Sequence, residues 1–334
     1  MALCNAIHTA FKVLQATRRI AMLRCQTTTR QRDFMDNAPR KTARDFDQEL
    51  LIIFDAYVHG TIDRRGFLDR AQKFATASMT AAALLAALSP NFAAGQQIPK
   101  DDKRLKTETV SYPSSGGTGT VKGYLAKPAN ATGRLPGVLV VHENRGLNPH
   151  IEDIARRLAL DNFIAFAPDA LTPLGGYPGD EDKARELFGK LDQRKATEDF
   201  VAGANFLKGR DDCNGKLGVV GFCWGGGIAH TLATRLPELN AAVPFYGNHP
   251  PAEDAAKVKA PLLIHFAAVD ERINASWPSY EAALKAAGAN FTAYQYAGTQ
   301  HGFNNDTTPR YDAAAAKLAW ERTMAFFEKN LRNG

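Results

Sequence analysis

The sequence predicts an α/β protein built on a mostly parallel, doubly wound sheet with helices on both faces. From about residue 104 onward, apolar runs of strand length alternate with helical patterns, which is typical of such a sheet. Two of these runs, 137–142 and 217–220, lack polar alternation, as expected for central strands that are buried on both faces. The chain has 334 residues, 45% of them apolar, which is enough for one such domain, and we place it at residues 96–334.

The turn residues mark where one predicted element ends and the next begins. Two strands open the domain across a Gly-rich turn, and Pro168 ends the fourth predicted strand. A Pro- and Gly-rich loop over 171–180 leads into one long helical segment. The predicted strands are 107–112, 118–126, 137–142, 163–167, 217–220, 241–245, 262–267 and 291–296. The predicted helices are 151–160, 181–208, one that starts at Gly226, 276–287 and a long final helix.

The segment Gly221-Phe222-Cys223-Trp224-Gly225 follows a buried strand and precedes a helix. A G-x-C-x-G pattern in this position is a cysteine version of the nucleophile elbow, a sharp turn that presents a reactive side chain at a strand end. The flanking glycines have no Cβ to collide where strand and helix cross, and the helix N-terminus favours a thiolate. We therefore predict that Cys223 is a nucleophile. The alternative is a buried cysteine beside a glycine turn.

Charge and cysteine content exclude two classes of protein. Residues 1–73 carry 13 Lys and Arg against 8 Asp and Glu, whereas 74–334 carry 28 against 27. The basic pI of about 9.1 therefore gives no reason to expect that the domain binds nucleic acid. Cys213 and Cys223 are the cysteines of the domain, and they flank a strand whose length keeps them too far apart for a disulfide. A disulfide-rich protein is thus excluded.

Residues 1–95 have the features of a leader with a twin-arginine export signal. The sequence DRRGFL stands at 63–68, and the stretch 74–99 after it holds no charged residue. Its apolar centre is too weakly hydrophobic for a membrane span, so we expect no stable membrane anchor. Small residues at 93–95 mark the expected cleavage region, and Met35 is a candidate for the true start. The alternative is an Ala-rich helix packed on the domain.

A cysteine nucleophile requires a base and an acid that orients the base, and two residues at later strand ends are candidates for these roles. Asp270 closes the apolar segment 261–270, and His301 lies just past the last predicted strand. Nucleophile, acid, histidine is the chain order of one large class of hydrolases. In this arrangement His301 takes the thiol proton and later activates water, while Asp270 fixes its tautomer. Taken separately, each has a simpler explanation as a turn or capping acid and as a solvated loop histidine.

An oxyanion in such a site needs two backbone N–H donors. The N–H of Trp224, directly after the nucleophile, is the first expected donor. The second is expected from the loop after strand 137–142, and we assign it to Asn144. Any residue type can supply an amide, so the sequence specifies only the positions.

These features resemble the dienelactone hydrolase family. The resemblance is carried by Glu143 after a buried strand, GFCWGG at 221–226, Asp270 and QHGF at 300–303, and it covers about residues 105–331. It implies an α/β-hydrolase fold without a large cap, a Cys223-Asp270-His301 triad and hydrolysis of a cyclic enol ester. It also implies that Glu143 partners the thiol at rest and releases it when substrate binds; otherwise Glu143 is a surface charge at a strand end.

The resemblance also implies cationic anchors for a carboxylated lactone. Arg185 is similar to the first substrate arginine of the family, although a helix arginine is often only solvated. Where the family has a second arginine shortly after its histidine, this chain has Asn304, Asn305 and Asp306, so the match is partial. Arg145 or Arg310 are the candidates to replace it.

The sequence therefore favours a monomeric, cofactor-free and metal-independent hydrolase of enol lactones or activated esters. Its expected partners are a small lactone or ester and the twin-arginine export machinery, with no nucleic acid. The expected location is the periplasm, and the cytoplasm is the alternative. Two other functions stay open: a broader carboxylesterase or thioesterase, and a non-catalytic binding module on the same fold, which the complete triad disfavours.

Overall fold

The mostly parallel sheet is present in the structure, a computed structural model that describes residues 40–332. The described residues hold one eight-stranded sheet in the order β1-β2-β4-β3-β5-β6-β7-β8. Its strands are β1 Leu105–Ser114, β2 Gly119–Pro128, β3 Leu135–Val141, β4 Ile164–Pro168, β5 Cys213–Phe222, β6 Ala241–Phe245, β7 Leu262–Val269 and β8 Phe291–Gln300. β1 and β2 pair antiparallel, β2 also pairs antiparallel with β4, and all other pairs are parallel. The predicted fold class is confirmed.

Helices cover both faces of this sheet, and each face has its own apolar core. One core joins the sheet to α5 (Pro149–Leu160) and to α11 (Ala313–Phe327). The other joins it to α7 (Gln193–Lys208), α8 (Trp224–Arg235), the short helix α9 (Glu271–Asn274) and α10 (Trp277–Ala286). Because the parallel strands all end at one edge, the residues that follow β3, β5, β7 and β8 come together there.

The predicted helical segment 181–208 is wrong as a single element. It forms two helices, α6 (Glu181–Phe188) and α7, separated by a short turn that contains Gly189. Asp192 caps the second helix, because its side chain accepts from the backbone N–H groups of Arg194 and Lys195. The capping signal and the glycine were both in the sequence, and their effect outweighed the helical pattern that runs across them.

The residues of the predicted leader that lie within the described part are helical. They form α1 (Gln48–Val58), α2 (Arg64–Ala71), α3 (Ala81–Leu88) and α4 (Phe92–Gly95), and they belong to the same structural unit as the sheet. We call residues 42–95 the N-terminal segment. α1, α2 and α3 share an apolar cluster of their own. Within the described residues, no helix is both long and apolar enough to cross a membrane.

The twin-arginine pattern coincides with the start of α2. Asp63 caps this helix by accepting from the N–H of Gly66, and Arg64 forms an ion pair with Asp182. Part of the apolar centre of the predicted signal, residues 81–88, forms α3, which packs with α1 and α2. The export signal and the domain boundary at residue 96 stay predictions. The candidate start at Met35, like Cys4 and Cys25, lies outside the described residues.

Candidate active site

Cys223 is the single residue between the end of β5 and the start of α8. Its backbone has φ 55° and ψ −116°, a strained conformation for a residue with a side chain, and its N–H donates to the carbonyl of Phe245 at 3.0 Å. Cys223 is 7% exposed, and Cys213 at the start of β5 is buried; both thiols are free. The strand, sharp turn and helix that the G-x-C-x-G pattern predicts are therefore present.

The two glycines of the pattern permit a very close approach of backbone segments. A Cβ on Gly221 would lie 1.9 Å from the carbonyl oxygen of Gly225, and a Cβ on Gly225 would lie 2.3 Å from the carbonyl oxygen of Val141. Real Cβ atoms do not approach backbone oxygens this closely. Only glycine therefore allows the elbow to cross the end of β3.

We expect Gly225→Ala to destabilise the protein by about 2 kcal/mol or more, because the new methyl group overlaps rigid backbone at the end of β3. Gly227→Ala, in the same helix, is the matched control. Its Cβ would meet the carbonyl oxygen of Asn248 at 3.4 Å, an ordinary contact, and alanine favours a helix. Urea unfolding of both variants measures the difference. Equal stability of the two variants would contradict this account of the elbow.

Asp270 and His301 form a buried pair at the neighbouring strand ends. Asp270 follows β7 and His301 follows β8, and Asp270 Oδ2 lies 2.6 Å from His301 Nδ1. This bond places the proton of the neutral ring on Nδ1 and leaves Nε2 as the basic atom. His301 Nε2, Cys223 Sγ and His59 Nε2 or Nδ1 lie within 4.8 Å of one another. The three predicted triad residues are thus brought together.

Burial and neighbouring charges act in opposite directions on the thiol and the imidazole. Burial acts to raise the pKa of Cys223, but the rings of His301 and His59 outweigh it and lower the pKa to about 6. Burial acts to lower the pKa of His301, whereas the Cys223 thiolate and Asp270 raise it to about 10. Between these values, the thiolate and an imidazolium are the favoured charge states.

The sequence analysis missed a second histidine beside the thiol. His59, just after α1, places Nε2 at 3.4 Å from Cys223 Sγ, and its ring packs edge-on against His301 with centroids 4.8 Å apart. Its Nδ1 lies 2.9 Å from the carbonyl oxygen and 3.2 Å from Oδ2 of Asp55. No local pattern marks His59, since the contact spans 164 residues of chain. The Asp55 and His59 spacing of four residues was the one available signal.

Tyr246 is a second missed residue. It follows β6 in a left-handed conformation, φ 37°, and its ring contacts that of His301 with centroids 5.0 Å apart. Its hydroxyl is buried and has no hydrogen-bond partner among the described residues. Burial, followed by the negative charges of Glu143 and the Cys223 thiolate, raises the pKa of Tyr246 well above its usual value. The phenol thus stays a neutral O–H group in the site.

The predicted oxyanion donors lie at the expected edge of the sheet. Trp224 is the first residue of α8, where a backbone N–H has no acceptor within its own helix. Asn144 follows β3, and its side chain donates to the carbonyl of Val58 at 2.8 Å. Glu143 accepts from Asn305 Nδ2 at 2.8 Å, whereas the hydrogen-bonded partner of the sulfur is His59. The pairing of Glu143 with the thiol stays a prediction.

The three candidate arginines occupy different places. Arg145 is buried, donates to the carbonyl of Asn144 at 3.0 Å and lies 3.8 Å from Glu181. Arg310 is buried and pairs with Asp55 at 3.0 Å. Arg185 lies over the ring of Tyr57 in the N-terminal segment, 4.7 Å from its centroid. Arg145 and Arg310 line one cavity with Cys223, and Arg185 is not among the residues that line it.

Two adjoining cavities meet at His301. The cavity that contains Cys223 has a volume of about 50 Å³, and Phe54, Tyr57 and Val58 of the N-terminal segment form part of its wall. A larger cavity of about 740 Å³ lies on the other side and is lined by both His59 and His301. The N-terminal segment therefore covers the thiol, although the sequence predicted a fold without a large cap.

One group of three donors among the described residues has the composition of a metal site. It consists of His59, Cys223 and His301. Arg272 Nη2 lies 3.2 Å from His59 Nε2, so a positive charge already occupies the space beside one of the three donors. A metal ion there would have to share His59 with the guanidinium of Arg272.

Comparisons with known proteins match the two parts of the chain separately. The model of the dienelactone hydrolase family matches residues 121–331, and a second model, described as YqhI-like, matches residues 37–75. The hydrolase fragment YghX of Escherichia coli K12, a provisional name, is 54% identical over 114 residues, which are 34% of this chain and 97% of the fragment. An Escherichia coli K12 protein provisionally named carboxymethylenebutenolidase is 33% identical over 247 residues, 70% of this chain and 90% of its own.

The solved structures agree with the sequence relatives. A Klebsiella pneumoniae protein, provisionally titled a dienelactone hydrolase, has 32% sequence identity and a TM-score of 0.61, and the alignment covers 67% of this chain and 99% of that one. The predicted resemblance and the α/β-hydrolase fold are therefore confirmed. His59 and Asp55 lie before residue 121, where the family match begins, and inside the second match.

Proposed function

The chain belongs to the dienelactone hydrolase family, a family of hydrolases, and on that premise we propose that it hydrolyses enol lactones or activated esters through a thioester on Cys223. The observation that carries the proposal is the position of Cys223 in a strained elbow beside the Asp270 and His301 pair. A nucleophile, a base and the carboxylate that orients it are the groups that covalent acyl transfer requires.

In the proposed reaction the Cys223 thiolate attacks the lactone carbonyl and forms a carbon–sulfur bond. The resulting oxyanion accepts hydrogen bonds from the backbone N–H groups of Trp224 and Asn144. The intermediate collapses, the ring carbon–oxygen bond breaks, and the leaving oxygen takes a proton from an imidazolium. His301 then removes a proton from water, the hydroxide attacks the thioester, and the thiolate leaves. The product is an open-chain carboxylate.

The cysteine itself favours this substrate class. A thiolate is a good leaving group, so an amide intermediate would expel sulfur more readily than nitrogen. An enol lactone releases a stabilised enolate, which leaves as easily as the thiolate does. Protease activity is therefore disfavoured, and esters with stabilised leaving groups are favoured.

The cavity that contains Cys223 is the smaller of the two, with a volume of about 50 Å³. The cavity of about 740 Å³ is large enough to receive the substrate first; His59 and His301 line it, and His301 also lines the cavity of Cys223.

One observation favours the broader carboxylesterase or thioesterase as a second candidate. Both cationic side chains beside Cys223 already face carboxylates: Arg310 pairs with Asp55, and Arg145 lies near Glu181. A carboxylated substrate would have to displace or share these partners, whereas a neutral ester would not.

Hydrolysis of dienelactone and of p-nitrophenyl acetate distinguishes the two candidates. If Arg145 anchors a substrate carboxylate, we expect Arg145→Ala to raise KM for dienelactone by about tenfold, the effect of one lost charged hydrogen bond, and to leave the neutral ester unaffected. Arg194→Ala, an exposed arginine on α7, is the control. Turnover of the neutral ester alone moves the function to a general esterase. An unchanged KM for dienelactone in Arg145→Ala contradicts the anchor.

Export to the periplasm stays part of the proposal, with the cytoplasm as its alternative. The DRRGFL sequence at 63–68 and the uncharged stretch after it are its support. Cleavage near 93–95 would remove His59, so the role proposed for His59 below applies to the uncleaved chain. Fractionation of cells that express the full chain, with the mass of the protein in each fraction, tests both the location and the cleavage.

A further inference from the structure

We propose that His59, supplied by the N-terminal segment, is the resting partner and proton acceptor of Cys223, so that two Asp–His pairs serve one thiol. The inference rests on the proposed function for its chemistry, although its test needs no substrate. It assigns a catalytic role to a residue outside the 121–331 family match.

The position of Asp55 determines which ring nitrogen of His59 is basic. His59 Nδ1 lies 2.9 Å from the carbonyl oxygen of Asp55 and 3.2 Å from its Oδ2, so the proton of the neutral ring belongs on Nδ1. The Nε2 lone pair then faces Cys223 Sγ at 3.4 Å. The Asp270 and His301 pair likewise has an aspartate at Nδ1, and the two imidazole rings lie side by side near the sulfur, with centroids 4.8 Å apart.

The hydrogen bonding of the other histidine, His301, differs from that of His59. His301 Nε2 is buried and has no hydrogen-bond partner among the described residues, although it lies within 4.8 Å of the sulfur. The sulfur contact at 3.4 Å is with His59 Nε2, and His301 acts on the sulfur mainly through its charge. In this conformation His59 is therefore the hydrogen-bonded partner of the sulfur. The Cys223 thiolate and Asp270 raise the pKa of His301 against the effect of burial, so His301 becomes a base toward water once acylation has removed the thiolate charge.

Several hydrogen bonds and an ion pair hold the region of His59 in place. Asn144 Nδ2 donates to the carbonyl of Val58, the residue before it, at 2.8 Å. Arg310 holds Asp55 at 3.0 Å, and Tyr57 bonds to Asp182. These contacts tie the end of α1 to loops that surround the nucleophile, so the approach of His59 is a fixed part of the fold.

Charged groups surround His59 on every side. Asp55 faces Nδ1, while Cys223, His301 and Arg272 face Nε2, with Arg272 Nη2 at 3.2 Å. Burial acts to lower the pKa of His59, and the Cys223 thiolate and Asp55 raise it. Because a guanidinium only donates, Arg272 shares the Nε2 lone pair with the thiol while the ring is neutral, and its side chain must turn away when Nε2 carries the thiol proton.

The step balances without a further reagent. The S–H bond of Cys223 breaks and an N–H bond forms on His59 Nε2, which gives a thiolate and an imidazolium. After the thiolate attacks, the imidazolium returns its proton to the leaving enolate oxygen. His301 takes a proton from water in the second half and returns it to the departing thiolate. Glu143, bonded to Asn305, has no part in these transfers.

The thiolate absorbance of the full chain in the ultraviolet, recorded against pH, tests this role. Each variant is measured against the same variant that also carries Cys223→Ala, which removes the signal of the other cysteines. The wild-type midpoint is expected at about 6. His59→Gln removes an opposite charge beside the sulfur, so the midpoint is expected to rise by about one unit or more. His249→Gln is the control and should leave the midpoint unchanged, because the ring of His249 packs on His230 and Tyr280 rather than on the sulfur.

Two further variants keep the test decisive. Asp55→Asn retains His59 but removes the carboxylate that orients it, and a smaller rise of the midpoint is expected; this variant decides the matter if His59→Gln does not fold. Glu143→Gln is expected not to raise the midpoint. An unchanged midpoint in His59→Gln together with a rise in His301→Gln overturns the proposal. Hydrolysis that persists in Cys223→Ala refutes the proposed function and leaves this titration intact.

Discussion

Cys223→Ala is expected to lower kcat for lactone and ester hydrolysis by about 10⁴-fold or more, the loss that follows removal of a covalent nucleophile. Without the sulfur no thioester can form, and the two histidines have no acyl group to transfer. Backbone donors such as the N–H of Trp224 remain, so a weak residual rate over water is expected. Steady-state kinetics with p-nitrophenyl acetate measure the effect.

Cys213→Ala is the matched control, because it makes the same chemical change at the other end of β5. Cys213 is fully buried, and its sulfur has only a weak contact with the carbonyl of Lys216 at 3.9 Å. We expect near-normal kcat in this variant. Hydrolysis that survives in Cys223→Ala at the wild-type rate would refute the covalent mechanism, and the elbow would then be a structural turn.

The strand ends of the site could be predicted from the sequence because local patterns specify them. A continuous apolar run predicts each buried strand, and glycines, prolines and polar residues mark where it ends. Parallel strands then bring Cys223, Asp270 and His301 to the same edge of the sheet. The large separations between these residues in the sequence did not prevent the prediction, because the order of the strands in the sheet brings their ends close together.

The N-terminal segment could not be predicted in the same way. Its paired arginines and uncharged stretch satisfy the pattern of an export signal, yet the same residues also satisfy helix formation, with Asp63 and Thr80 as caps. A sequence window cannot distinguish these uses, since both need weakly apolar, Ala-rich helix formers. The position of His59 depends on contacts with residues more than 80 positions away, such as Asn144, which no local period encodes.

The N-terminal segment also changes the surroundings of two candidate arginines. Arg185 occupies the expected helix, but the ring of Tyr57, from a segment outside the family match, lies against its guanidinium. Arg310 is drawn to Asp55 of the same segment. A segment added to a known fold thus changes which side chains reach the site, even where the sequence of the fold itself retains the motif.

Asp270→Asn is expected to lower kcat by on the order of 10⁴-fold, the loss seen when a catalytic histidine is held in the wrong tautomer. Asp270 Oδ2 lies 2.6 Å from His301 Nδ1, and an amide there no longer requires the proton to sit on Nδ1. His301 then ceases to be an effective base toward water. Because His59 still accepts the thiol proton in our scheme, the thioester should form and persist.

The accumulated thioester is what distinguishes this prediction from a general loss of activity. Intact-mass analysis of Asp270→Asn after mixing with p-nitrophenyl acetate should show one acetyl group on Cys223 together with a burst of p-nitrophenol. Asp254→Asn, an acid that pairs with Lys257 outside the site, should behave as wild type. If kcat falls in Asp270→Asn and neither adduct nor burst forms, His301 also governs the first half of the reaction. The proposal that His59 accepts the thiol proton while His301 activates water would then be wrong, although the nucleophile would remain Cys223.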